Sequence, residues 1–380
     1  MDYLVSIYPI LFVQHKVVKE IISSQGVYLI KGIKMGSVKD LTVQEMPVEN
    51  KSGQGRFLFS DRYSVFDWGE MPDLIKNKGA SLCLTSAYFF DKLAKRGIKS
   101  HYLGVLENGI LKRLDELKGP TTNMEIKLLR VIKPEIKGTS YDYSAYRKER
   151  GNFLIPLEVI YRNSLPEGSS VFKRLKEGDL KPEELGLKKM PTPGQVLEKP
   201  WLDVSTKLEA NDRYLSWEEA KELAGLTSTE VDQIKHTTLL INEVITKEAS
   251  RAGFTHEDGK AEFGFDVNRS LMVVDTIGTL DECRFTLTGF PVSKEITRLF
   301  YRNMSWYREI EEAKKKDRLA WRDKVVSRPP QLPPKLKDLI SLLYSSWANE
   351  ITQRIWFKDT PPLREILPEI KQIITGVNPE

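Results

Sequence analysis

The segment Asp258-Gly259-Lys260-Ala261-Glu262-Phe263-Gly264 admits few backbone conformations. Its charged side chains fall on every second residue. A strand puts all three on one face, whereas a helix scatters them around its axis. A second apolar run at residues 271–274 follows a polar turn at 266–270, and the pair predicts a β-hairpin. Asp275 ends the second strand, so the hairpin brings it close to Glu262. Paired carboxylates repel unless a cation joins them. A lysine for phosphates beside oxygen ligands for Mg²⁺ is one reading of these residues. A solvent-facing strand and an ordinary acidic turn are the other.

Around the hairpin the chain reads as α/β in two parts with a helical tail. Residues 27–30, 57–59, 124–132 and 153–161 suit strands. Pro156 in the last of these suits an edge or a bulge. Residues 82–93 suit a helix. Ser216 with Glu219, and Thr227 with Glu230, form two capping boxes. Val231, Ile234, Thr238, Ile241 and Ile245 then line one helical face. Residues 138–152 resemble a surface insertion and 176–200 a loop region. From Glu295 the chain is mostly helical, with a stiff proline-rich break at 328–334. The expected divisions are an extension at 1–26, a smaller domain at 27–150, a larger one at 151–312 and a helical tail at 313–380.

Composition narrows the function. The 380 residues carry 58 basic and 53 acidic side chains, a net charge of +5. That mild excess attracts anionic metabolites without demanding nucleic acid. The run Lys314-Lys315-Lys316 reads as a solvated helix face. Two distant cysteines, Cys83 and Cys283, suit a reducing cytoplasm. The apolar stretch at 3–13 is too short for a membrane span and is broken by Pro9. It suits a strand or a contact in a homo-oligomer. No signal peptide, membrane or nucleic-acid partner is expected.

Four further constellations could carry chemistry. Gly36-Ser37-Val38-Lys39-Asp40 offers backbone N–H groups and a lysine to phosphate oxygens. Residues 59–67, continuing to Lys78 and Gly79, gather polar groups between a strand and a helix. In residues 156–170 an arginine leaves a strand before a Gly-Ser-Ser turn, a pattern that suits a phosphate monoester. Asp275 to Phe285 supplies Asp281 and Arg284. Taken singly, each is equally compatible with a plain turn or loop.

Together these segments resemble the SAICAR synthetase family. Its Gly-x-Val-(Lys/Arg)-Asp turn matches Gly36 to Asp40. Its Asp-Arg-x-Ser-x-(Phe/Tyr)-Asp … Lys-Gly segment matches Asp61 to Gly79. Its Pro-x-Glu-x-x-x-Arg … Gly-Ser signature matches Pro156 to Ser169. Its Asp-x-Lys-x-Glu-Phe-Gly signature matches Asp258 to Gly264, and its Asp … Asp-x-x-Arg-(Phe/Leu) segment matches Asp275 to Phe285. Ser205-Thr206-Lys207 with Asp212 is a weaker match. Ser37 stands where a basic residue is common, Asn211 precedes Asp212 where the family has histidine, and the 162–169 segment holds one residue more than in many members.

The resemblance implies a two-domain fold, α+β or α/β, similar to the ATP-grasp architecture and followed here by the helical tail. It implies an ATP- and Mg²⁺-dependent ligase joining L-aspartate to carboxyaminoimidazole ribonucleotide (CAIR) through an acyl phosphate, in purine synthesis. It assigns Gly36, Ser37, Lys39 and Lys260 to ATP. Glu262 and Asp275, with Asp258 behind them, fall to the metal, and Lys260, Glu262 and Asp275 to catalysis. Ser64, Asp67, Lys78, Gly79, Glu158, Arg162, Ser169, Ser170, Lys207, Asp212, Asp281 and Arg284 fall to the substrates. A small-molecule kinase on a related fold is the alternative. A basic RNA-binding module is a more distant one, disfavoured by the carboxylates.

Overall fold

A computed structural model describes residues 17–22, 29–138, 140–317 and 320–376. The apolar run at 3–13 lies outside them. The first sheet consists of β1 (Val17–Ile22), β2 (Leu29–Met35), β3 (Lys39–Glu45), β4 (Gly53–Phe59), β5 (Tyr102–Glu107), β6 (Ile110–Lys112) and β7 (Asn123–Leu128). Its order is β1-β2-β3-β4-β7-β5-β6. Period-two alternation in β4 buries Phe57 and Phe59 and leaves Leu58 outside. β1 carries the sheet into the segment expected to stand apart as an extension.

A small hairpin, β8 (Glu135–Lys137) with β9 (Ser140–Asp142), follows. The segment after it is not the surface insertion expected. Tyr143 and Tyr146 are buried, and Tyr146 Oη donates to the Ile132 carbonyl at 2.6 Å. Its aromatic rings needed core, which the polar residues between them concealed.

The second sheet contains β10 (Phe153–Leu165), β11 (Gln195–Thr206), β12 (Thr255–Phe265), β13 (Leu271–Val274), β14 (Cys283–Leu287) and β15 (Phe290–Pro291). Its order is β11-β10-β12-β14-β15, with β13 on the far end of β12. The expected hairpin is present, with Glu262 opposite Val274. β10 is central rather than an edge. Pro156 is tolerated there because the β10–β12 register slips between Leu154 and Glu158. Among the described residues every ladder between these strands is antiparallel, so the mixed fold is α+β.

The helices are α1 (Lys78–Ala94), α2 (Ser170–Glu177), α3 (Trp217–Ala224), α4 (Ser228–Arg251), α5 (Glu295–Arg302), α6 (Ser305–Lys316), α7 (Pro334–Thr352) and α8 (Leu363–Gly376). Both capping boxes form, and Gly225 ends α3 in the left-handed region. α1 lies on the first sheet and α4 on the second, and α7 packs along α1. The tail is therefore part of the core. Trp347 is buried between Phe254 and Phe285, with ring centroids 5.2 and 4.4 Å away. No helix among the described residues is long and apolar enough to cross a membrane.

Candidate active site

The alternating charges of β12 face one cleft, and neighbouring strands extend the stripe. Register sets Glu158 of β10 opposite Glu262 and Arg162 opposite Asp258. Arg284 of β14 faces Asp258 from the other side. The lower part of this stripe is a lysine–carboxylate network. Lys260 Nζ lies 3.0 Å from Glu158 and 3.3 Å from Glu282. Lys207 Nζ lies 2.5 Å from Glu262 and 3.4 Å from Glu158. Lys39, from the glycine turn, pairs with Asp275 at the end of the hairpin. The early turn and the late hairpin thus meet.

Local structure holds each partner in place. Gly36 is confined: a Cβ there would stand 2.3 Å from the Lys39 carbonyl oxygen. Arg62 braces the turn by pairing with Asp40 and donating to the Gly36 carbonyl. Asp275 has a left-handed backbone, φ 63°, which is uncommon for a residue with a side chain. The His101 ring bonds to its carbonyl at 2.9 Å. Burial lowers the His101 pKa to about 4, so the ring is neutral at neutral pH.

Four carboxylates, Glu158, Glu262, Asp275 and Glu282, face the ammonium groups of Lys39, Lys207 and Lys260. Burial, with Asp275 and Glu158 nearby, pushes Glu262 up to about 8 against the pull of Lys207. Burial would also raise Glu158, but Lys260 and Lys207 bring it down to about 2. Among the described residues no three metal-ligating side chains are grouped as a cage. Mg²⁺ is usually held by one or two carboxylates plus substrate phosphates, so the oxygen-rich site fits it.

Two cavities adjoin this network. One, about 340 Å³, is mostly apolar, with Leu41, Phe57, Ile126 and Leu128 in its walls. It reaches the network at Lys39, Lys207, Glu262 and Asp275. The other, about 480 Å³, is charged, and Glu158, Lys260, Glu282, Arg162 and Arg284 line it. At its upper end Arg284 grips Asp258 through two nitrogens, one at 2.8 Å. Arg162 lies between Asp258, at 3.4 Å, and Asp203, at 3.3 Å, and touches Ser169 and Ser170. Gly168, φ 79°, packs against the Arg302 guanidinium, where a Cβ would stand 2.7 Å away.

The stripe thus brings together Lys39, Glu158, Lys207, Lys260, Glu262 and Asp275. Others fall elsewhere. Asp258 sits four residues up the strand from Glu262, about 13 Å at strand rise, and its oxygens belong to arginines, so the two do not share one cation. Lys78 is buried against Asp281 at 2.6 Å, and Gly79 packs on the Phe59 carbonyl, where a Cβ would stand 2.7 Å away. Both are interior groups rather than cleft surface. Gly79 N–H donates to Asp61, which caps α1. Ser37 is exposed on its turn, Asp67 and Asp212 stand exposed at the charged cavity's rim, and Ser64 lines neither cavity.

Sequence reasoning missed Glu282, Lys294, Arg298 and Arg302, all lining the charged cavity. The last three recur every four residues from the N-cap of α5 to its last turn, which is the signal of one helical face. Lys314 also departs from its expected solvated face: it turns into the cleft, with Nζ 3.0 Å from the Phe66 carbonyl.

Residues 36–313 match the family model described as SAICAR synthetase. A protein of Archaeoglobus fulgidus, provisionally named phosphoribosylaminoimidazole-succinocarboxamide synthase, is 49% identical over 90% of this chain and 100% of its own length. The synthase of that name from Thermoplasma acidophilum is 33% identical over 79% of this chain and 93% of its own. Among solved structures, a Saccharomyces cerevisiae SAICAR synthase complexed with SAICAR superposes with a TM-score of 0.56 at 21% identity, covering 85% of this chain and 94% of that one. A SAICAR synthetase in complex with ADP gives 0.50 at 22%, covering 79% and 100%. At such identities the solved structures speak for the fold.

Proposed function

The chain belongs to the SAICAR synthetase family, and from that premise we propose that it joins L-aspartate to CAIR with ATP, in the cytoplasm, in purine synthesis. The observation that carries this reading is the seam itself: Lys39 on Asp275, Lys207 on Glu262 and Lys260 on Glu158 stand where an apolar cavity meets a charged one. The apolar cavity suits a purine base, with the glycine turn, Lys39 and Lys260 beside its phosphates. The charged cavity suits the ribotide. Arg162, Ser169, Ser170, Arg284 and the α5 cations offer donors to its phosphate.

A carboxylate acylates an amine only after activation. At the seam the ribotide carboxylate would meet the γ-phosphoryl group, and transfer relies on position and charge neutralisation. Lys260 and Lys207 neutralise charge on both sides. The amine of aspartate then attacks the acyl phosphate and expels phosphate. Glu262 and Asp275 would hold Mg²⁺, which supplies further neutralisation of the triphosphate.

A coupled ADP-release assay with each substrate omitted in turn tests the reading. Release is expected only with ATP, CAIR and L-aspartate all present. Turnover that ignores aspartate would count against it. Arg162→Ala is expected to raise the KM for CAIR about 10- to 100-fold, the worth of a charge-assisted contact. Asp203 keeps Arg174 and Asp258 keeps Arg284, so the fold should survive. An unchanged KM for CAIR would remove Arg162 from the phosphate pocket.

A further inference from the structure

The proposed reaction brings an amino-dicarboxylate into the cleft. Its ammonium group needs a carboxylate acceptor among many cations. Most carboxylates there are already committed. Asp258 accepts from Arg284 through both oxygens. Asp281 accepts from Lys78 at 2.6 Å and from Tyr344 at 2.7 Å. Glu158 holds Lys260 at 3.0 Å and Lys207 at 3.4 Å. Asp67 and Asp212 stand exposed at the rim.

Glu282 differs. Its side chain is 14% exposed, and its buried Oε2 makes no hydrogen bond although Lys260 Nζ stands 3.3 Å away. It occupies a position that the Asp-x-x-Arg pattern leaves open, between Asp281 and Arg284. It also lines the charged cavity beside the seam, where an attacking amine has to arrive. A carboxylate with spare accepting capacity, set among cations that suit the two carboxylates of the same molecule, matches the charge pattern of an α-amino dicarboxylic acid.

Building on the ligase reading of this cleft, we infer that Glu282 receives the ammonium group of L-aspartate and so makes the site selective for an amine-bearing dicarboxylate. The test uses the full chain and two variants. Glu282→Gln is expected to raise the KM for L-aspartate about tenfold or more, the loss of one charge-assisted contact, and to move the KM for ATP and CAIR much less. Succinate, which has the two carboxylates and no amine, should inhibit wild type and variant equally. Glu282→Asp keeps the charge one methylene back and should fall between them, which also covers a glutamine variant that does not fold. An unchanged KM for aspartate overturns the inference. So does parallel weakening of succinate, or a rise in the KM for ATP as large as that for aspartate, since either would mark Glu282 as a support for Lys260 or for the cleft wall. A wild type that releases ADP without aspartate would instead overturn the functional reading.

Discussion

Lys260→Ala is expected to lower kcat by about 10²–10³, the loss found when one positioned donor to a developing charge is removed. Lys260 lies 3.0 Å from Glu158, 3.3 Å from Glu282 and 4.0 Å from Glu262. Its neighbours hold its pKa well above the ordinary lysine value, so it is charged throughout the working range. Without it Glu158 and Glu282 lose the ammonium group that stands 3.0 and 3.3 Å away, and an arriving triphosphate meets less attraction. The fold should persist, because β12 is hydrogen-bonded on both sides and the Lys260 side chain is 30% exposed. Circular dichroism and steady-state kinetics on the same sample separate the two effects. A kcat close to that of wild type would falsify the assignment.

Trp347→Ala is expected to cost about 3–5 kcal/mol of stability, as for a large aromatic removed from a core. The ring is 1% exposed and wedged between Phe254 and Phe285, so little can collapse into the space left behind. Its indole N–H is buried without a hydrogen-bond partner. Trp347→Phe should therefore be much milder, because it removes that unsatisfied donor along with part of the ring. Chemical denaturation of the three proteins gives the comparison. Equal loss in both variants would contradict the packing argument.

The strongest periodicities were the most legible. The β12 alternation, the hairpin and both capping boxes appear where the pattern put them, because each depends on neighbours close in sequence. The seam was legible only through the ordered motifs. Nothing local says that Lys39 reaches Asp275, 236 residues away. Lys78 illustrates the limit in the other direction. A lysine beside a glycine suits a cleft, yet its ammonium is sealed inside by Asp281, with the Tyr344 ring beside it. Burial of a charge depends on a partner that only tertiary structure supplies. The cations of α5 were readable from their four-residue spacing. The role of Lys314 was not, because a run of three lysines looks the same whether or not one of them turns inward.

Tyr344 and Trp347 tie the wall of the cleft to a helix made late in synthesis. Every residue of the seam leaves the ribosome before α7 does, so the Asp281 side of the pocket closes only once that helix has docked. A nascent or C-terminally clipped chain ending before Pro334 would carry every residue of the seam and still lack a finished wall. Turnover is therefore expected only once α7 has been made and has docked.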